Sequence, residues 1–416
     1  MKIVVFGLGH IGSLTMATLL HDGHSVVGVD RSGRVLDQIA RGSYPFCEAK
    51  IGALIADGKT AGLLTTRTAI GDAVDADLAF ICVGTHGRSD GRLDLADVTA
   101  VAGQIGEALQ RRSRSLPPML LVFRSTLLPG SMRGGILPAV TSAAGEPPGC
   151  RYDLAHNPLF TREGCALADY LAPSRIVVGE RQPGCARLLL DLLCRIDAPL
   201  FTTSFEAAEL VKFADNTFHA LKVTFANEMA RLALRSAVSP GELFDLFKAD
   251  TKLNLSEAYL RPGAPFGGPC LPKDVGALAA HMRDLGLLAP VASAILESNT
   301  AHLLYLADEI GRRTSPPARV LLVGLTFKSG IDDLRESALL KLAELLLDRG
   351  YDLSIFDPDL IGHQNLADAV ELSARVSAAL RAEPDGDWDL VVMGKVNADG
   401  IGQIAAHHPV FHISRL

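Results

Sequence analysis

The 416-residue sequence predicts an α/β protein: two parallel-sheet domains joined by a central helical domain with a long connecting helix. Three observations carry this expectation. Short β-branched runs alternate with amphipathic stretches up to about residue 195, and the same alternation resumes after the break "TSPPAR". Between about 200 and 310 the strand signal vanishes. Part of that gap is one uninterrupted helical pattern, "FEAAELVKFADNTFHALKVTFANEMARLALRSA", with no internal glycine or proline. The expected domains are 1–198, 199–312 and 313–416.

In chain order, "KIVVFGLG", "HSVVGVD", "DLAFICVG", "PMLLVFRST" and "SRIVVGE" read as strands separated by helices. That alternation indicates a parallel sheet covered on both faces. The long helix that follows is suited to bridging domains or forming an oligomer interface. "TKLNLSEAYLRPGAPFGGPCLPKD" reads as a loop, and "VASAILESNTAHLLYLADEIGRR" as a second helical stretch. "RVLLVGLTF", "DLSIFDPD", "DLVVMGK" and "PVFHIS" then read as parallel strands of the last domain.

Composition narrows the function classes. Hydrophobic residues at 48% and charged residues at 21% describe an ordinary globular protein. A net charge of -7 and the lack of any basic stripe argue against a nucleic-acid partner. No apolar run approaches a bilayer span, so no membrane role is expected. The opening "MKIVVFGLGHIGSL" lacks a signal-peptide cleavage site, which places the protein in the cytoplasm. The seven cysteines, Cys47, Cys82, Cys150, Cys165, Cys185, Cys194 and Cys270, are odd in number and irregularly spaced. Neither a disulfide framework nor a zinc site is expected, and no other metal. Most read as small core hydrophobes. Cys270 differs: it follows Phe-Gly-Gly-Pro, whose glycines let backbone crowd a ligand, and Lys273 and Asp274 bring charge near the sulfur. On these residues alone it is either a buried structural cysteine or a reactive thiol.

Gly7, Gly9 and Gly12 form G-x-G-x-x-G between the first strand and the first helix. The first allows the tight turn, the second lets backbone approach a pyrophosphate, and the third lets helix and strand pack. His10 and Ile11 lie within the same turn, where helix N–H groups face a phosphate. Asp30 ends the second strand about 20 residues on, placed to bond ribose hydroxyls. Its charge favours NAD over NADP, a preference that Arg31 and Arg34 weaken. Both sheet domains are accordingly expected to be Rossmann-like.

These motifs have company. "FICVGT" (80–85), "RSTLLPGS" (124–131), "NPLFTREG" (157–164), "ELVKFADNTFHALKVTFANE" (209–228), "KLNLS" with "RPG", "FGGPCLPKD" and "GLTFKSGIDDLRES" (324–337) follow in order. In this series the chain resembles the UDP-glucose/GDP-mannose dehydrogenase family over nearly its whole length. "KVTFANE", "KLNLS" and "RSTLLPG" resemble the GDP-mannose branch more than the UDP-glucose branch.

The resemblance implies oxidation of a nucleotide sugar's C6 alcohol to a carboxylate with two NAD in succession. GDP-mannose is the expected substrate; another NDP-sugar, or a reaction that stops early, is the alternative. A catalytically idle nucleotide-sugar-binding protein is the reading from another class, and joint retention of Cys270, Lys212, Asn216 and Asp274 argues against it. Cys270 matches the nucleophile that captures the aldehyde and carries a thioester, and Asp274 the carboxylate that handles protons or orders water. Lys212 and Asn216, four apart on one helix face, match the pair that binds the developing oxyanion and a water. Thr126 matches a residue touching cofactor and active-site water, and Thr85 and Arg335 match cofactor contacts. Phe160, Glu163, Phe266, Gly267 and Lys328 match substrate contacts. Asn254, Tyr259 and Arg261 sit in the loop expected to wrap the nucleotide sugar, with Arg261 reaching a neighbouring subunit's ligand. The resemblance further implies a homodimer, or a multiple of dimers, through the long helix, on which Leu210, Phe213, Phe218, Phe225 and Leu232 are apolar.

Two positions depart from the family pattern. Leu159 stands where the family's "NPEFLREG" has a glutamate that acts on water during thioester hydrolysis, and leucine can neither accept a proton nor order water. Glu163 with Asp274 covering the role, a different substrate, and early release or slow hydrolysis are the three open explanations. Val35 stands where the GDP-mannose branch often has a lysine, with Arg34 available to compensate.

Overall fold

The first β-branched run folds as β1 (Lys2–Phe6) in the interior of an eight-stranded sheet. The structure, a computed structural model, describes residues 1–41, 48–251, 259, 262–287, 289–360, 372–395 and 407–415. Those residues form two units, Met1–Ala214 and Asp215–Leu416, divided within one helix.

In the first unit β1 leads to α1 (His10–His21), β2 (Ser25–Val29), α2 (Gly33–Ala40), α3 (Ala49–Thr60), β3 (Leu64–Arg67) and β4 (Leu78–Ile81). A hairpin of β5 (His86–Gly87) and β6 (Leu93–Asp94) precedes α4 (Ala96–Leu109), β7 (Met119–Phe123), α5 (Leu137–Ala144) and β8 (Tyr152–His156). Then come α6 (Ala166–Leu171), β9 (Ile176–Glu180), α7 (Arg187–Leu193), β10 (Leu200–Ser204) and the start of α8 (Phe205–Arg235). The sheet order is β10-β9-β8-β7-β4-β1-β2-β3. Alternate residues of β1 feed separate cores, Ile3 and Val5 with Phe80 on one face, Val4 and Phe6 with Ile81 on the other. Both faces are dry, as a doubly covered sheet requires.

One pairing departs from the expected parallel arrangement. β9 runs antiparallel to β8, through Ala155 with Glu180 and His156 with Gly179, and β10 then runs parallel to β9. The β8–β9 connection carries the six-residue α6 and the β9–β10 connection the seven-residue α7, so helix length does not separate the antiparallel pair from the parallel one. β3 and β10, rich in threonine and partly exposed, are strands that the apolar-run reading passed over.

The second unit holds the rest of α8, α9 (Pro240–Ala249), α10 (Leu271–Asp284), α11 (Pro290–Arg313), β11 (Arg319–Val323), α12 (Ala338–Asp348), β12 (Asp352–Phe356), α13 (Ala374–Ala379), β13 (Leu390–Met393) and β14 (Val410–His412). Its four strands, ordered β12-β11-β13-β14, are all parallel. Ser239 and Ser337 cap α9 and α12 by accepting the N–H of Glu242 and Leu340. Ala220 of α8, Val275 and Ala279 of α10, and Ala292 and Ile295 of α11 share a small helical core.

The cysteine expectation is corrected. Among the described residues only Cys82 is buried; Cys150, Cys165, Cys194 and Cys270 are exposed and Cys185 is intermediate. Cys165 and Cys194 sit at helix ends, where side chains reach solvent. Cys47 lies outside the described residues. No described helix is long and apolar enough to cross a membrane.

Candidate active site

The glycine turn at the end of β1 is tight for a reason internal to the chain. Gly7 has φ +78°, and a Cβ on Gly12 would stand 1.8 Å from the Gly7 carbonyl oxygen. A Cβ on Gly9 would meet nothing within 4 Å, so the N-terminus of α1 stays open. No side chain caps that terminus, leaving its N–H groups, with His10 and Ile11 in the first turn, able to face an anion. The Asp30 carboxylate accepts the Leu8 N–H at 2.7 Å and the Ser32 N–H at 2.8 Å, which leaves further lone pairs for ribose hydroxyls.

A cleft of about 590 Å³ opens here, lined by Gly7, Gly9, Asp30, Val83, Gln104 and others. Arg31, on its wall, is held bidentately by Asp97 at 3.1 and 3.2 Å, while Arg34 is exposed on α2. Thr85 is buried, and its hydroxyl donates to the Thr126 carbonyl at 3.0 Å, so those two predicted contacts do come together. The open Gly9 face, the uncapped helix and the anchored carboxylate all fit a dinucleotide.

Elsewhere in the first unit, the Phe160 ring centroid lies 4.4 Å from the Arg175 guanidinium and 5.7 Å from the Lys212 ammonium. Two predicted substrate contacts thus share a cation–π pair. Glu163 is half-buried in the same loop. Leu159 packs against the core on one sheet face and lines a pocket of about 30 Å³ with Arg124, Asn157 and Tyr170. Arg124 is buried, donating to Thr15 Oγ1 at 2.7 Å and Asn157 Oδ1 at 3.0 Å over the Phe80 ring. One turn before Lys212, the fully buried Glu209 accepts the N–H groups of Gly130 and Met132, both at 2.7 Å. Burial pushes its carboxyl up to about 7, with the two N–H donors opposing. Glu209 therefore ties α8 to the loop that carries Thr126.

In the second unit, Cys270 is the exposed N-cap residue of α10. A sulfur there stands at the positive end of a 14-residue helix. Asp274, one turn in, is 1% exposed; its N–H donates to the Cys270 carbonyl at 2.8 Å. The Asn216 amide donates to the Asp274 carboxylate, and Lys273 Nζ lies 3.2 Å from its other oxygen. Cys270 and Asp274 are thus neighbours, and Asn216 joins them through Asp274.

The glycines before Cys270 also serve the packing of the chain on itself. A Cβ on Gly267 would stand 2.5 Å from the Glu336 carbonyl oxygen, and one on Gly268 would stand 2.7 Å from the Phe327 ring. Both let the loop close on its own chain. The buried Phe266 is clamped by Asn299, which accepts its N–H and donates to its carbonyl, both at 2.9 Å. Gly263 is held likewise, its N–H by Asn227 at 3.0 Å and its carbonyl by His302 at 2.7 Å. Burial lowers His302 to about 4, so the ring is neutral, donating from Nε2 and accepting from Arg231 on Nδ1.

Tyr259 is exposed with φ +65° and stacks on His219, centroids 4.9 Å apart. Lys328 is exposed and lines a pocket of about 180 Å³ with Gly267, so these two predicted contacts meet. Arg335 is exposed and paired with Asp333 at 2.5 Å. Asn254 and Arg261 lie outside the described residues.

Three models of one family match the chain in series. The NAD binding domain of the UDP-glucose/GDP-mannose dehydrogenase family matches residues 1–197, its central domain 206–301 and its UDP binding domain 321–386. The chain belongs to the UDP-glucose/GDP-mannose dehydrogenase family. It is an NAD-dependent nucleotide-sugar dehydrogenase. The GDP-mannose 6-dehydrogenase of Azotobacter vinelandii is 38% identical over 409 residues, 96% of this chain and 92% of that protein. The enzyme of the same name from Pseudomonas aeruginosa is 40% identical over 359 residues, 86% of this chain and 81% of its own. Among solved structures, a UDP-glucose dehydrogenase from Pyrobaculum islandicum aligns with TM-score 0.90 at 30% identity, covering 100% of this chain and 94% of that one. A ternary complex of GDP-mannose dehydrogenase from Pseudomonas aeruginosa aligns with TM-score 0.60 at 35% identity, covering 99% and 96%.

Sequence reasoning missed several residues that shape this dehydrogenase's sites. Arg124 and Glu209 were inside quoted motifs, and a charged residue amid an apolar run was their only signal. Asn299, His302 and Asp97 had none, because their partners lie 33, 39 and 66 residues away.

Proposed function

We propose that the dehydrogenase oxidises the C6 alcohol of GDP-mannose to the carboxylate through a thioester on Cys270. The observation that carries this is Cys270 at the N-terminus of α10 with the buried Asp274–Asn216 pair one turn in. The GDP-mannose assignment rests on relatives of that name at 38% and 40% identity.

The cleft of Gly7, Gly9 and Asp30 would hold NAD, which would supply a hydride acceptor for each oxidation. The Lys212 ammonium and the Asn216 amide stabilise the developing alkoxide as the C6 hydroxyl loses its proton to solvent, and loss of the first hydride from C6 gives the aldehyde. The Cys270 thiolate adds to the resulting aldehyde carbon, and the oxygen takes a proton to give a thiohemiacetal. Loss of the second hydride and that proton leaves the thioester. Water then attacks the acyl carbon, Asp274 takes its proton, and the C–S bond breaks to return the thiolate and release the uronate. Leu159 removes the second carboxylate that the family pattern supplies for this last step. Hydrolysis by Asp274 alone is therefore the slow step of this enzyme.

Cys270→Ala tests the reading. The variant should make no uronate while still binding NAD and GDP-mannose by calorimetry; full uronate turnover would exclude the thioester route. A panel of NDP-sugars, scored as NADH per sugar, tests the substrate.

The proposed assembly is a homodimer in the cytoplasm, joined through α8. Leu210, Phe218 and Phe225 of that helix are exposed at 47%, 41% and 37%, whereas Phe213 is buried within its own chain and the side chain of Leu232 lies outside the description. An apolar face of this kind is what a two-fold interface covers. Light scattering at micromolar concentration should give twice the 44.1 kDa chain mass.

A further inference from the structure

The sequence reading passed over Lys395, which follows β13. Its side chain is 4% exposed, yet it ends in an ammonium. That ammonium donates to Asp357 at 2.8 Å, to Asp359 at 2.7 Å and to the Thr326 hydroxyl. Every one of these partners holds the same short loop after β11. Asp357 accepts the N–H groups of Leu325 at 2.6 Å and Thr326 at 2.8 Å. Asp359 accepts the N–H of Gly330 at 3.0 Å. The Thr326 hydroxyl donates to the Lys328 carbonyl at 3.0 Å.

The loop so fixed presents two groups. Phe327 packs on Gly268, two residues before Cys270, at a spacing that leaves no room for a Cβ. Lys328 stands at the exposed edge of the 180 Å³ pocket whose lining also includes Thr326 and Lys395 itself. Gly324 has φ +102°, and a Cβ there would stand 2.7 Å from the Lys395 side chain, so the loop's first residue is shaped around this lysine.

We propose that Lys395 is a positioning residue for the nucleotide-sugar site, a buried latch that sets where Lys328 and Phe327 stand. A buried ion pair is weak grounds for stability, since apolar replacements often serve as well; fixing one arrangement is the better-attested use. Lys395 does not itself contact the reacting atoms. It acts through the loop, and through Phe327 on the segment that ends at Cys270. The inference rests on the proposed function only in taking Lys328 as a contact of the substrate.

Two variants separate positioning from bulk stability. Lys395→Met leaves Asp357 buried without its ammonium and should lower Tm. The double variant Asp357→Asn with Lys395→Met removes the two buried charges, leaving the part-exposed Asp359, and should recover most of that Tm. In both, KM for GDP-mannose should rise by about tenfold or more, the scale of a lost charged hydrogen bond, with kcat changed far less. The Kd for NAD should stay within about twofold, because neither Lys395 nor residues 324–330 line the Gly7–Asp30 cleft. Hydrogen exchange of the 324–330 amides should quicken in the double variant. If the double variant regains KM together with Tm, or keeps wild-type exchange over 324–330, Lys395 is structural filling and the proposal is overturned. Should wild type bind no nucleotide sugar, the proposed function fails separately, and the exchange result alone decides the latch.

Discussion

Asn216, on α8, donates its side-chain amide to Asp274, on the first turn of α10, across 58 residues of sequence. The bond fixes the carboxylate one helical turn from Cys270 and turns a polar pair at 6% and 1% exposure inward. Asp274→Ala would leave the Asn216 amide and the Lys273 ammonium without that acceptor. Leaving buried donors unpaired costs about 1–3 kcal/mol, and loss of a general base slows its step by about 10²- to 10⁴-fold. Thermal melts read the first effect and steady-state NADH production the second. Asp274→Asn, which keeps an acceptor but cannot take a proton, should keep more of the Tm while losing the same activity. If it keeps activity, Asp274 only positions its neighbours.

Leu159 packs against a sheet core, and its pocket of about 30 Å³ has room for only one or two waters. Wild type should therefore show a burst of NADH stoichiometric with sites, then a slower steady rate, with an acyl adduct on Cys270 by intact-protein mass spectrometry. Leu159→Glu should raise the steady rate and shrink the adduct. It should also lower Tm, because a carboxylate replaces an apolar side chain packed against the core, a loss that Arg124 and Arg175 of the pocket offset only in part. No burst and no adduct in wild type would mean that hydrolysis is not limiting.

Glu209 gives the stability a pH dependence of definite sign. Its folded carboxyl titrates at about 7 against an ordinary 4.5, so the folded chain holds this proton more tightly than the unfolded one. The resulting stability is fully present below about pH 4.5 and is lost as pH rises through about 7, on the order of a few kcal/mol in all. Glu209→Gln should lower Tm at acid pH, since an amide accepts at one atom only, and flatten its decline between pH 5 and 8. Parallel profiles for variant and wild type would show that the carboxyl is already ionised throughout.

Asp97 holds Arg31 against α4 on the wall of the cleft, keeping the guanidinium from a phosphate on the adenosine ribose. The pair is largely exposed, at 82% and 37%, so its effect should be modest. Asp97→Asn should raise kcat/KM for NADP relative to NAD by about threefold to tenfold, both by freeing Arg31 and by removing a negative charge. Adding Arg31→Ala should remove most of the gain. An unchanged ratio in Asp97→Asn would leave Asp30 as the sole determinant.

By itself the sequence determined those features that neighbouring residues encode. Alternating β-branched runs specified two parallel sheets, glycine spacing specified the turn between β1 and α1, and an unbroken 3.6-residue pattern specified α8. Each depends on residues within a few positions of one another, where local sterics and burial periodicity suffice. The tertiary structure decided what depends on distant partners. It reversed β9 against β8, a direction that no residue pattern within either strand encodes. Four cysteines went to the surface, and Gly267 and Gly268 turned toward Glu336 and Phe327. Lys395 came to Thr326 across 69 residues, a pairing that no local pattern marks because the energy that selects it exists only once both sheet ends are folded.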